Sequence, residues 1–210
     1  MIITYFGKQF FKVQQGEMIF AFNPISKESK SNISNSFGAD LALVTTNHPD
    51  YNGTAQLSRS ERFPFIINSP GDYEIKEIPI KGIMSWTEID GKKYINTTYL
   101  LSIDEIKIVF LGVLSNSESD SEIIKKISEE ISTEIEGVDI LFMPVNLPNK
   151  SKVIISLEPK IIIPMDYDAS SLKAFLKELG QENIPVIDKL TLKRKELENK
   201  NSEVVVFKIN

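Results

Sequence analysis

The hydrophobic pattern of this chain changes period once, near residue 119, and that change narrows its fold more than any other feature. Before it, short strand-like runs alternate with turns: residues 2 to 6, 9 to 14 and 17 to 23, punctuated by Gly16 and Asn23-Pro24. A polar stretch from Ser26 to Asn35 reads as a solvated loop. Ala39 to Thr45 carries a buried-strand signal in Leu41, Ala42, Leu43 and Val44, and runs into the polar cluster Thr46-Asn47-His48-Pro49-Asp50-Tyr51-Asn52-Gly53. Strand ends followed by polar loops are common seats of chemistry. Further strands are expected at Phe65 to Asn68, Ile78 to Ile83, Thr97 to Ile103 and Ile106 to Leu111, with Asp104-Glu105 as a tight hairpin connection.

After residue 119 the period is helical. Ser119-Asp120-Ser121-Glu122 has the spacing of a capping box, and Ile123, Ile124, Ile127, Ile131 and Ile135 follow on one helical face, stopped by Gly137. Strands at Ile140 to Met143 and Lys160 to Pro164 alternate with helices near residues 150 to 157 and from Ser171 to Leu179. The second of these has the stripe Leu172, Phe175, Leu176 and Leu179, with Gly180 as its stop. Lys189 to Lys200 holds Lys193-Arg194-Lys195 but is interrupted by Glu196 and Glu198, so it reads as a solvated connection before a final strand from Glu203 to Ile209. No repeat, low-complexity tract or domain boundary is legible. A β-rich half followed by alternating strands and helices implies an α/β (α+β) chain with two packed sheets and helices outside, forming a single domain over residues 1–210.

Composition removes several functions. The net charge of -5 lacks the basic footprint that non-specific nucleic-acid binding requires. With no cysteine, disulfides, thiolate metal sites and cysteine nucleophiles are all excluded, and a reducing compartment is implied. Met1 to Phe6 enters a strand pattern directly, without the features of a signal peptide, and no apolar run approaches the roughly 20 residues that span a bilayer. A soluble, cytoplasmic protein is expected.

Several ordered landmarks carry a resemblance. Gly7-Lys8 follows the first strand, and Asn23-Pro24 the third. Thr46-Asn47-His48-Pro49-Asp50-Tyr51 comes next, then Pro70-Gly71-Asp72-Tyr73-Glu74 and Met84-Ser85-Trp86-Thr87-Glu88. Phe110-Leu111-Gly112-Val113-Leu114 and Pro159-Lys160-Ile161-Ile162-Ile163-Pro164-Met165-Asp166-Tyr167 complete the set. In this order the segments resemble the metallo-β-lactamase superfamily, especially its ascorbate-6-phosphate-lactonase-like branch of zinc-dependent hydrolases. The resemblance implies a four-layer αββα sandwich. It also places His-x-His-x-Asp-His at residues 46 to 51, a ligand histidine at Thr87, a metal-bridging aspartate at Val113 and a last ligand histidine at Asp166.

Under that mapping the first metal position retains only His48, where catalytic zinc sites generally have three protein ligands. The second retains Asp50 and Asp166, with Tyr51 useful only as a phenolate, which its ordinary value near ~10 disfavours. His48 is the one histidine of the chain, so any rebuilt site must use carboxylates, Asp72, Glu74 and Glu88 being nearest by motif. The candidate metal ligands are therefore His48, Asp50 and Asp166, weak or vestigial. Asp50 is the candidate catalytic residue, and the cofactor is either none or a weakly held divalent cation, Mn²⁺ or Mg²⁺ before Zn²⁺. Plainer roles stand beside these. His48 suits a half-exposed loop histidine bonded to backbone, Asp50 a cap on a short helix near Gly53, Asp166 an ion pair or a solvated strand end, and Trp86 a cleft wall or packing.

Two functions remain open at this level. One is a catalytically degenerate member of the fold with a binding, regulatory or assembly role. The other is an active metal-dependent hydrolase of a lactone, ester or phosphodiester, using a remodelled site on His48, Asp50 and Asp166. A metal-free enzyme with Asp50 or Asp166 as general acid or base has no positive signature. The expected partner is a small molecule or a protein, not nucleic acid or a membrane, and the resemblance allows a homo-oligomer.

Overall fold

Ile3 and Tyr5 are completely buried while Ile2, between them and the terminus, is exposed, so the first strand has one face in a core and one turned outward. That strand, β1 (Ile2–Gly7), forms an antiparallel meander with β2 (Phe10–Gln15) and β3 (Met18–Phe22), after which β4 (Leu41–Leu43) and β5 (Phe65–Ile67) add in parallel. The computed structural model describes residues 1–31, 33, 35–58, 63–114 and 120–208, with backbone alone at 120–124. The second sheet begins with β6 (Gly71–Ile75), β7 (Ile78–Ile89), β8 (Lys92–Ile103) and β9 (Ile106–Phe110), all antiparallel. Helix α1 (Asp120–Glu134) leads to β10 (Ile140–Pro144) and helix α2 (Lys150–Leu157) to β11 (Ile161–Met165), both parallel to β9. Each of these two strands is buried at all five residues, because one face meets the other sheet and the other meets helices.

Helix α3 (Ala169–Glu178) starts earlier than its apolar stripe suggests, since Asp168 caps it by accepting from the Ser171 N–H at 2.8 Å. The chain then crosses between sheets in short pieces. β12 (Val186–Ile187) pairs with β15 (Val206–Phe207), β13 (Lys189–Thr191) becomes the edge strand beside β1, and β14 (Glu203–Val204) adds to β11. Two expectations are corrected here. Lys189 to Lys200 is not a free connection: it supplies that edge strand, and Arg194 grips the buried carboxylate of Asp139 at 2.7 Å alongside Lys160 at 2.8 Å. The closing segment is two short strands in different sheets. The hairpin of β7 and β8 is also longer than its apolar runs indicate, turning at Asp90-Gly91. The capping box at 119–122 and the side chains of Ile123 and Ile124 lie outside the described residues.

The sheet orders are β13-β1-β2-β3-β4-β5 and β14-β11-β10-β9-β8-β7-β6. Between the sheets lies an aromatic core in which Phe11 stacks on Tyr5 at 4.5 Å and meets Phe142 edge-on at 4.8 Å, while Phe22 stacks on Phe110 at 4.9 Å. The three helices cover the outer face of the second sheet through Ile127, Ile131, Val153, Leu157 and Phe175. Over the outer face of the first sheet, Ile25, Ala39 and Leu57 form a thinner layer with a short 3-10 helix at Thr54–Leu57. The result is a mixed α/β sandwich of two sheets. The loops after β4, β9, β10 and β11 gather at one rim around the β1–β2 turn. Truncating Phe142 to alanine removes a ring shared by both sheets, and urea denaturation of that variant should show a loss of about 3–5 kcal/mol with no change of fold by circular dichroism.

Candidate functional site

The β1–β2 turn organises the rim. Gly7 and Lys8 both take positive φ, 112° and 51°, which brings the Lys8 carbonyl round to accept from the Asp166 N–H at 2.6 Å and the Tyr5 hydroxyl at 2.8 Å. The Lys8 side chain reaches in the opposite sense, its ammonium 2.7 Å from Asp50 Oδ2. Ser29 donates to the other oxygen, Oδ1. Burial alone would raise the Asp50 pKa, but the bonds from Lys8 and Ser29 outweigh it and hold the carboxyl below its ordinary value. Asp50 therefore does not cap the nearby helix: Thr54–Leu57 follows Gly53 without a side-chain cap. Gly53 serves by lacking a side chain, since a Cβ there would lie 2.2 Å from the Ile25 carbonyl.

His48 lies close to Asp50, yet its Nδ1 accepts from the Asp50 backbone N–H at 3.2 Å and sits 4.0 Å from Oδ2. Its ring meets Tyr94 edge-on at 5.6 Å. Asp166, at φ 57°, occupies a separate arrangement in which Tyr51 donates to Oδ2 at 3.0 Å and Gln9 donates to the same oxygen at 3.4 Å. Burial, and then the negative charge of Asp166, push the Tyr51 phenol up, so it is a hydrogen-bond donor and not a phenolate ligand. The structure thus brings His48 to Asp50 and Tyr51 to Asp166. Among the described residues, no group of three or more His, Asp or Glu is placed to hold an ion.

Neutral groups make up the rest of the rim. Asn96 on β8, fully buried, takes the Val113 N–H on its Oδ1 at 2.7 Å and donates to Ser85 Oγ and the Leu111 carbonyl, each at 3.1 Å. The Thr46 hydroxyl points at the same Oδ1 at 3.4 Å. This amide fits only because residue 112 is glycine: at φ 71°, a Cβ would lie 2.4 Å from Asn96 Oδ1. Asn23 plays the matching part in the first sheet, donating to Gln9 Oε1 and Thr45 Oγ1 at 2.9 Å while accepting from the Thr45 N–H at 2.8 Å. Gln9, Asn23, Thr45 and Asn96 are site residues that sequence reasoning missed. The one available signal was Asn23-Pro24, which reads in the sequence only as a turn after the third strand.

These elements border a cleft of about 350 Å³ lined by Gln9, Tyr51, Thr87, Glu88, Val113 and Asp166 among others. Thr87 is buried there, and its hydroxyl has no hydrogen-bond partner among the described residues. Of the three alternative carboxylates only Glu88 borders this cleft. Asp72 lies 3.9 Å from Lys81 at a different pocket, and Glu74 is exposed on β6. Trp86 neither walls the cleft nor packs in the core: it is half-exposed on β7, opposite Ile95.

A sequence model of the beta-lactamase superfamily domain matches residues 2–166. The chain belongs to the metallo-β-lactamase superfamily. Solved structures agree at the level of the fold. A superfamily protein from Thermotoga maritima superposes with a TM-score of 0.66 and 23% identity, covering 98% of this chain and 97% of its own. Igni18, a metallo hydrolase from Ignicoccus hospitalis, gives 0.57 and 15% over 91% and 99%. The isothiocyanate hydrolase from Delia radicum gut bacteria gives 0.59 and 10% over 92% and 100%. No curated protein matches the chain. Among the described residues no helix is long and apolar enough to cross a membrane.

The depressed Asp50 pKa fixes how the ion pair responds to acid. A carboxylate whose folded value lies below its unfolded one stabilises fully above the unfolded value, and that stability is lost as pH falls through the folded value. Lys8→Met should therefore cost roughly 1–3 kcal/mol at pH 7. The gap between wild type and variant, followed by urea denaturation across pH, should close as the pH drops below the ordinary value of 3.8. A gap independent of pH would show that the lysine acts through packing alone.

Proposed function

We propose that this superfamily member has given up zinc-dependent hydrolysis and keeps the cleft at the sheet rim for binding. The observation that carries this reading is the Lys8–Asp50 ion pair. Asp50 stands where the superfamily motif has a metal ligand, and here its charge is met at 2.7 Å by an ammonium group of the chain itself. A divalent ion beside that ammonium would face a like charge and compete for the same oxygen.

The rest of the donor set points the same way and does not fit the family's zinc pair. Thr46 and Thr87 offer neutral hydroxyls, Tyr51 stays protonated, and the position of the bridging aspartate is the apolar Val113, whose backbone is tied to Asn96. Zinc hydroxide chemistry needs enough protein ligands to hold the ion and lower the pKa of its water. Within the superfamily, the run from Pro159 to Tyr167 supports a place in the ascorbate-6-phosphate-lactonase-like branch. A protein with these properties acts by binding a small molecule or a protein and serves a regulatory or assembly role.

Metal analysis tests this directly. Protein purified from zinc-supplemented medium should carry only substoichiometric zinc and should not hydrolyse a panel of lactones, esters and phosphodiesters with added Mn²⁺ or Zn²⁺. Stoichiometric zinc would overturn the reading. Manganese-dependent turnover abolished in both Asp50→Ala and Asp166→Ala would replace it with a remodelled hydrolase.

A further inference from the structure

Among the described residues, the charged ones that line the cleft are Glu88 and Asp166, and no lysine, arginine or histidine joins them. Lys8 is engaged by Asp50, and Lys93 stands opposite Glu88 in the β7–β8 register, which leaves Asp166 as the lining charge without an ion pair among the described residues. A cleft of this sign repels the phosphates and carboxylates that a metal-filled cleft would attract. Asp166 is anchored through one oxygen only: Tyr51 and Gln9 both donate to Oδ2, and neither reaches Oδ1.

Thr87 supplies an independent sign of a ligand. Its hydroxyl belongs to a residue that is 3% exposed, borders the cleft and has no partner among the described residues. A buried hydroxyl left unpaired is costly, and a bound molecule with a polar head would relieve that cost. Beside it, Ile89, Val113, Leu114 and Pro144 give the cleft an apolar wall. Its volume of about 350 Å³ is at the small end of ligand sites, which run from roughly 300 to 1,000 Å³.

Resting on the reading of this cleft as a binding site, we propose that it takes a small organic cation, an amine with a short apolar body. The ammonium group pairs with Asp166 and hydrogen-bonds to the Thr87 hydroxyl, and the body lies against Val113 and Leu114.

The test is calorimetric titration of the full chain with benzylamine, with benzoate as the charge-reversed probe and with MnCl₂. Benzylamine should bind and benzoate should not. Asp166→Asn should weaken benzylamine about 10- to 100-fold, and Thr87→Val roughly 2- to 10-fold. In the wild-type protein, amide resonances of Thr87, Val113 and Asp166 should shift with benzylamine, a readout that does not depend on Asp166→Asn folding. Absence of benzylamine binding, equal or tighter binding of benzoate, unchanged affinity in a folded Asp166→Asn variant, or shifts clustered elsewhere would each overturn the amine assignment while leaving the metal-free reading in place. Stoichiometric Mn²⁺ binding that displaces benzylamine would overturn both.

Discussion

The rim of this sandwich depends on one charge being balanced from within the chain. Asp50 is largely buried in the loop after β4, where an unpaired carboxylate would be strongly disfavoured. Lys8 answers it from a turn whose backbone is also fixed, since the Lys8 carbonyl receives the Asp166 N–H and the Tyr5 hydroxyl. One residue thus ties together the loop after β4, the β1–β2 turn and the end of β11. In the superfamily this part of the fold is the place for metal ions. Here the same segments are joined by an ammonium group and a set of amide and hydroxyl bonds, so the rim can be ordered by the polypeptide alone.

The neutral network shows how buried amides at the rim are matched. A buried amide is tolerable when each of its groups is matched, and Asn96 has its oxygen taken by the Val113 N–H and its nitrogen shared between Ser85 and Leu111. Asn23 is matched in the same way by Gln9 and Thr45. Each asparagine depends on neighbours of suitable size. Gly112 leaves room for Asn96, and the positive φ of Asn23 turns its side chain back across the sheet edge. Two buried hydroxyls of β7 and β8 are left without a partner among the described residues, Thr97 within the sheet and Thr87 at the cleft, and only the second borders space that a ligand could fill.

Much of the fold was legible because burial on two faces writes a simple pattern. The apolar runs of β10 and β11 and the Ile127–Ile131 stripe follow directly from strands covered on both sides and a helix covered on one. The far half of the β7–β8 hairpin was harder, although Asp90-Gly91 is a good hairpin turn, because its outward side chains include Met84, Trp86 and Ile95 and blur the inside-outside alternation. The edge strand at Lys189–Thr191 was hidden for the opposite reason, its side chains being mostly exposed and polar. At the site, Asp50 and Asp166 could be named from motif position. Their partners could not, since Lys8 is 42 residues from Asp50, and Tyr51 is 115 residues from Asp166. Only the fold makes them neighbours.

That separation in sequence bears on the chemistry. In a metal site the carboxylates converge on one ion, and each depends on the others to share its charge. In this protein Asp50 and Asp166 have different partners and different jobs. Asp50 is neutralised by Lys8 and braced by Ser29, which makes it part of the frame. Asp166 receives only hydrogen bonds, from Tyr51 and Gln9, and these orient the carboxylate without cancelling its charge. The two acids therefore have separate partners, one closing the rim and the other facing the cleft, although both charges bear on the Tyr51 phenol between them.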